Sequence, residues 1–187
     1  MKMRSHGTTL TDWIEGMGAN AQFVAFSEVY TALERGILDA GVSGATAGHG
    51  LRWYEVADYL VGPFRSFPAD FIVINKVAWD KLPADIQQIL IEEGAKQELE
   101  ALRLSPIQNE LGLTKNTEAG MEFLPFSPEL QAHAYENALI KRMIPNWVKR
   151  VGGADKPEVA LFNQIIAPIA GIKINPDGSA SKVPITK

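Results

Sequence analysis

The chain contains no cysteine, which excludes disulfides and thiolate-held metal and is compatible with an oxidising compartment without requiring one. It has no run approaching the roughly 20 apolar residues of a membrane span, and Met1 to Leu10 lacks the apolar core of a signal peptide. A basic surplus is lacking too. With 18 Lys+Arg against 22 Asp+Glu the net charge is -4, which gives no footprint for nucleic acid or an anionic membrane. His6, His49 and His133 show neither HExxH nor HxH spacing, so the sequence points to no metal and no cofactor. There is no G-x-S-x-G elbow, no phosphate-binding G-x-x-x-x-G-K-[ST] loop and no G-x-G-x-x-G fingerprint. What is present is an ordinary globular composition, 46% hydrophobic and 21% charged over 187 residues, enough to bury the core of one domain or one and a half.

The clearest local order lies in Phe26–Asp39. Ser27 is a natural N-cap and Glu28 meets the positive end of the helix dipole. Val29, Ala32 and Leu33 form an apolar stripe, and Gly36 follows Arg35 as a C-terminal glycine should. The segment therefore predicts strand 22–26, helix 27–35 and strand 37–42, a βαβ unit of a parallel sheet. Before it, Leu10, Trp13, Ile14 and Met17 mark a helix capped by Thr8 or Thr9 and closed by Gly18.

After it, Ser43–Gly50 is a run of small residues with three glycines. It reads either as the rim of a cleft, directly after a parallel strand, or as a plain flexible connection. Helical spacing predicts a helix over 51–60 with Trp53 in the core, and 61–68 reads as an ordered loop or edge segment because of its two prolines. Phe71–Ile74 reads as a buried strand, and 76–81 as a short helix. A long spine helix over 84–116 carries Ile86, Ile89, Leu90, Leu99, Leu102 and Leu104 and is expected to kink at Pro106. Glu92, Glu93, Glu98 and Glu100 are its solvated face. A strand over 121–125 follows, then a helix starting at Ser127-Pro128, bent at Pro145 and ended by Gly152-Gly153. A further helix over 157–170 is interrupted by Pro168, and Asn175-Pro-Asp-Gly178 predicts a β-hairpin or a loosely held end.

The string Glu28-Val-Tyr30-Thr-Ala32-Leu33-Glu-Arg-Gly36-Ile-Leu-Asp39 resembles the E-x-Y-x-A-L-x-x-G-x-x-D pattern of the TRAP-type (DctP-like) extracytoplasmic solute receptors. Lys2-Met3-Arg4, Trp53-Tyr54-Glu55-Val56-Ala57-Asp58-Tyr59-Leu60, Ile74-Asn75-Lys76 with Trp79, and Leu82–Gln87 follow in that family's order and spacing. The resemblance covers roughly residues 1–150 and corresponds to the back half of a family member, without a secretion signal or most of the first lobe. It implies an α/β, periplasmic-binding-protein-type lobe: a mostly parallel sheet, a long kinked spine helix and C-terminal helices. Residues 1–150 would be the second lobe with hinge-crossing elements, and 151–187 a C-terminal helix and tail.

By the same resemblance, Arg4 is the fork that pairs with the carboxylate of an organic acid, a task suited to a planar guanidinium. The family's polar side chain after the strand ending near Asp39 is replaced here by Ser43, and Phe64 and Arg65 are candidates to reach the cleft from the next segment. Glu28 and Tyr30 read as structural. The implied function is a small-carboxylate receptor, not an enzyme, that serves the membrane components of a TRAP transporter in the periplasm. A sensing or dimerising module on the same scaffold is the alternative. A hydrolase built from Ser43, His49 and Asp39 is the least supported reading, since a triad is a matter of geometry. Without a first lobe, exposed apolar surface predicts a homo-oligomer or swapped dimer.

Overall fold

The computed structural model describes residues 1–63 and 71–185. Strand β1 (Lys2–Ser5) leads into helix α1 (Thr8–Gly16) and strand β2 (Asn20–Phe23). β1 and β2 are parallel, with Arg4 opposite Gln22 and Ser5 opposite Phe23. On the other edge of β1, Ala40 bridges Met3 in parallel, so β1 is central in a small parallel corner. Leu10, Trp13 and Ile14 of α1 are buried, as their spacing predicts, but no side chain caps the helix and Gly7 holds the cap position. The hydroxyls of Ser5 and Thr11, 2.6 Å apart, instead tie β1 to the first turns of α1.

The crossover from β2 to the Ala40 bridge is helix α2 (Val29–Glu34), entered through a 3-10 turn at Phe26–Glu28. Ser27 lies inside that turn and makes no capping bond, so the helix starts later than its sequence suggests. Its end is as expected. Gly36 has φ 65°, and the amides of Gly36 and Ile37 return to the carbonyls of Leu33 and Ala32 at 3.0 and 2.9 Å, the paired bonds that close a helix through a left-handed residue.

Three expectations fail in the middle of the chain. Ser43–Gly50 is not a loop: Ala45–Gly50 forms helix α3, and its small residues admit the long helix α5 (Ala84–Glu118) to close range. A Cβ on Gly112 of α5 would stand 2.4 Å from the Thr46 amide nitrogen, and Asn116 Nδ2 donates to the Ala45 carbonyl at 2.9 Å. Residues 51–60 are not a helix either. Arg52 takes φ 59°, a 3-10 turn follows at Trp53–Glu55, and Tyr59–Gly62 becomes strand β3, because its amides pair in parallel with strand β4 (Glu122–Pro125). Phe71–Ile74, expected as a buried strand, forms no strand and is exposed, at 81%, 95%, 86% and 50%. Helix α4 (Lys76–Asp80) follows, and Asn75 caps it through the amides of Val77 and Ala78. Helix α5 runs as one element through Pro106, but its apolar stripe lies open: Leu99 and Leu102 are each 70% exposed, and only Gly112 and Asn116 of the helix are buried.

The C-terminal third makes its own core. Ser127 Oγ accepts from the Leu130 amide at 3.2 Å and starts helix α6 (Pro128–His133). A π-helical stretch at Ala134–Met143 leads into helix α7 (Ile144–Val151), and a second, Phe162–Ile166, joins helix α8 (Pro157–Leu161) to helix α9 (Ala167–Ala170). Each π stretch ends just before a proline, Pro145 or Pro168. Widening the helix there removes the clash of the ring with the preceding turn, which the sequence reads only as a bend or an interruption. Strands β5 (Ile172–Ile174) and β6 (Ala180–Lys182) close an antiparallel hairpin. Ile172 and Ile174 pack with Ile140, Ile144, Val148 and Val159.

Candidate functional site

Open α/β sheets place ligands beyond the carboxyl ends of their strands, and here that edge holds Arg4. The residue occupies the third position of β1, where its amide donates to the Ala40 carbonyl at 2.9 Å. Its side chain is buried, with the residue 5% exposed. Nε donates to the Val24 carbonyl at 3.1 Å and Nη1 to the Val42 carbonyl at 3.0 Å. Val24 follows β2 and Val42 follows the Ala40 bridge, so one guanidinium clips together both segments that flank β1. The guanidinium carbon stands 5.4 Å from the centre of the Phe26 ring, within cation–π range. Phe26 in turn tilts against Trp53, at 5.8 Å between ring centres.

The electrostatics of this site are unbalanced. Among the described residues no carboxylate lies within ion-pair distance of Arg4. Burial pushes the guanidinium pKa below its ordinary value, as desolvation of a cation should. A buried charge without a counter-ion is costly. Carbonyl dipoles offset part of that cost here, and two of the five N–H donors serve them. The chemistry left over is that of an anion acceptor: directional N–H donors on a desolvated cation, beside an aromatic face.

Ser43, the second sequence candidate, is exposed and makes no hydrogen bond among the described residues. It is the residue after Val42, whose carbonyl Arg4 holds, so the fold brings Ser43 to the neighbourhood of the arginine. Phe64 and Arg65 lie outside the described residues. Glu28 is exposed, and the Tyr30 hydroxyl donates to Glu55 at 3.0 Å, which holds the phenol above its ordinary pKa. Asp39 accepts from the Lys2 amide at 2.6 Å and so fixes the entry of β1. His49 stacks on Tyr54 at 5.0 Å between ring centres, and no hydrogen bond joins it to Ser43 or Asp39, so those three residues form no triad. Sequence reasoning missed Phe26, read there as a strand end, and the carbonyls of Val24 and Val42. Only the aromatic residue next to a helix start carries a signal in the sequence; carbonyl acceptors carry none.

Two surface clefts, one lined by Val148, Gly153, Pro176 and Gly178 and one by Tyr30, Leu51 and Arg52, do not include Arg4.

Comparison with known proteins follows the same line. Residues 1–143 match the DctP family, described as bacterial extracellular solute-binding protein, family 7. The chain is 29% identical over 141 residues to the C4-dicarboxylate-binding periplasmic protein DctP of Rhodobacter capsulatus, covering 74% of this chain and 42% of that protein. It is 28% identical over 139 residues to the 2,3-diketo-L-gulonate-binding periplasmic protein YiaO of Escherichia coli, with the same coverage of 74% and 42%. A TRAP periplasmic solute binding protein from Desulfovibrio salexigens, solved with bound orotic acid, superposes with a TM-score of 0.78 at 21% identity over 87% of this chain and 52% of its own. The chain thus spans about half the length of the relatives it matches. It has their α/β fold, with parallel strand pairs and a long helix, and by the match over residues 1–143 it belongs to the DctP family of bacterial solute-binding proteins.

Proposed function

We propose that this chain supplies the arginine-bearing half of a receptor for a small organic acid. One observation carries the reading: Arg4 is buried, desolvated and without a carboxylate partner among the described residues, so its positive charge is balanced only when an anion arrives. A ligand carboxylate accepting from the remaining N–H donors would form charge-assisted bonds in a dry setting, where they are strongest. The proteins it resembles support the class, since those named above bind a C4-dicarboxylate, 2,3-diketo-L-gulonate and orotic acid. In this proposal Ser43 adds a short hydroxyl contact at the rim, and Phe64 and Arg65 reach the same cleft. A second wall is required, because residues 1–150 form one lobe with its hinge-crossing elements and residues 151–187 complete the C-terminal core. The receptor works in the periplasm and hands its acid to the membrane components of a TRAP transporter, with closure of two walls selecting the bound state.

The test is a thermal-shift and calorimetric titration with succinate, malonate, orotate, pyruvate and galacturonate, using the native chain, Arg4→Lys and Arg4→Ala. An acid at about 100 times its dissociation constant adds about 2.7 kcal/mol, a shift of several degrees in a domain of this size. The expected result is a shift with at least one acid, weakened in Arg4→Lys, which keeps the charge but loses the fork, and lost in a folded Arg4→Ala. A full shift in a folded Arg4→Ala refutes the assignment.

A further inference from the structure

A guanidinium acts as a fork only while its plane is held, and three groups hold that of Arg4: the carbonyls of Val24 and Val42 and the ring of Phe26. Trp53 braces two of the three. Its indole tilts against Phe26 at 5.8 Å between ring centres. Its six-membered edge lies against Gly41, the residue before Val42, where a Cβ would stand 2.9 Å from Trp53 Cζ3 and 3.3 Å from Cη2. A Cβ on Gly48 of α3 would stand 3.3 Å from Cε3. The indole is thus wedged between α3, the segment that ends at Val42 and the ring that faces Arg4. Packing alone does not account for a tryptophan at this position. Trp53 is 8% exposed, and its buried Nε1 has no hydrogen-bond partner among the described residues, whereas a buried indole N–H ordinarily finds an acceptor. Leucine or phenylalanine would fill a core without that orphaned donor; what the indole adds is the reach to touch Phe26 and Gly41 together.

We propose that Trp53 is a positioning residue of the anion site: it fixes the Phe26 ring and the Gly41–Val42 backbone, and through them the plane of the Arg4 guanidinium. The proposal deepens the reading of Arg4 as a carboxylate receptor and rests on it. With Nε and one Nη1 hydrogen engaged by carbonyls, the donors left for an acid are the second on Nη1 and the two on Nη2. These donors meet two carboxylate oxygens at once only while the plane stands still, because each bond is directional. Loosening Trp53 therefore leaves the charge of Arg4 in place and removes its aim.

The Nε–H of Arg4 reports that aim without any acid, so failure of this proposal and failure of the carboxylate reading are seen separately. In heteronuclear NMR spectra its resonance, identified by its loss in Arg4→Lys, should exchange slowly with water, since it donates to Val24 in a buried setting. Trp53→Leu should speed that exchange about ten-fold or more. Gly41→Ala, whose methyl presses on Cζ3 from 2.9 Å with Trp53 still present, should do the same and gives the answer where Trp53→Leu fails to fold. The Ile174 amide, held by Asn163 in the separate C-terminal core, should keep its native rate in both. Any of succinate, malonate, orotate, pyruvate or galacturonate that binds the native chain should bind a folded Trp53→Leu about ten-fold more weakly. An Arg4 Nε–H that keeps its native rate in the folded variants overturns the proposal, as does a rate that rises only together with that of Ile174. Native affinity for such an acid in Trp53→Leu overturns it equally.

Discussion

Removal of the Asp12 carboxylate should be among the more damaging single changes on α1. Asp12 is buried, with its side chain 8% exposed, and Oδ2 accepts from Arg150 at 2.7 Å while Oδ1 accepts from Asn146 at 2.6 Å. Arg142 approaches to 4.0 Å and binds Glu15 one turn further along. One carboxylate therefore fastens the first helix to α7, across 134 and 138 residues of sequence. In Asp12→Ala these donors face a void, and the Arg142 Nε, already buried without a hydrogen-bond partner, loses the carboxylate 4.0 Å away. Breaking a buried pair costs about 3–5 kcal/mol. The side chains of Arg150 and Arg142 are 34% and 41% exposed and regain water, so the lower end, about 3 kcal/mol, applies. At about 2–4 °C per kcal/mol for a chain of this length, the midpoint should fall by about 6–12 °C. Calorimetric melts of Asp12→Ala, Arg150→Ala and the double variant isolate the pair term. A drop under about 2 °C, or additive single effects, would show that hydrophobic packing of Ile14 on Ala138 alone holds this junction.

Three further outcomes follow from single contacts. Gly112→Ala puts a methyl 2.4 Å from the Thr46 nitrogen; the backbone must yield, and the net loss should be about 1–3 kcal/mol in denaturant melts, whereas a stabilised variant would mean that α3 and α5 are not in contact. Ser127→Ala removes the oxygen that the Leu130 amide donates to and should cost about 1 kcal/mol, with Ser127→Asp restoring most of it; equal stability of all three would refute the cap. The hydrogen bond from Lys182, helped by Lys141, holds the Glu136 carboxyl below its ordinary value. Since the folded value is depressed, this tether of the β5–β6 hairpin is present at neutral pH and is lost as pH falls through the lowered pKa. Amide shifts of Ala180–Lys182 should titrate with a midpoint below that of a free glutamate, and a midpoint at or above it refutes the pairing.

What the sequence disclosed was what its neighbours in sequence decide. Gly36 ends α2 because the bonds that close the turn come from the next residues, and Ser127-Pro128 starts α6 for the same reason. Asn175–Gly178 turns β5 back onto β6 within a few residues. The misreadings lie where distant chain decides. Ser43–Gly50 has the composition of a loop, yet it is helical where Gly112 and Asn116, some seventy residues away, meet it. Leu51–Leu60 has helical spacing, yet Leu60 is recruited into β3 by Phe123 of β4. At the site, Arg4 was singled out through a motif, whereas its two carbonyl acceptors were not, because every residue carries a backbone carbonyl and none is marked by it in sequence.

The remaining discrepancy is of another kind. Phe71–Ile74 and the stripe Ile86, Ile89, Leu90, Leu99 and Leu102 have the composition of buried elements, but all nine residues are exposed. Tertiary override does not account for this, since no competing contact has drawn them elsewhere. An apolar pattern records that a residue is covered in the finished assembly; it does not record which chain does the covering. The same asymmetry holds for charge at Arg4, which is buried against two carbonyls and meets no carboxylate among the described residues. Apolar surface without cover and a buried cation held by two carbonyls both mark places where residue type runs ahead of the contacts made among the described residues.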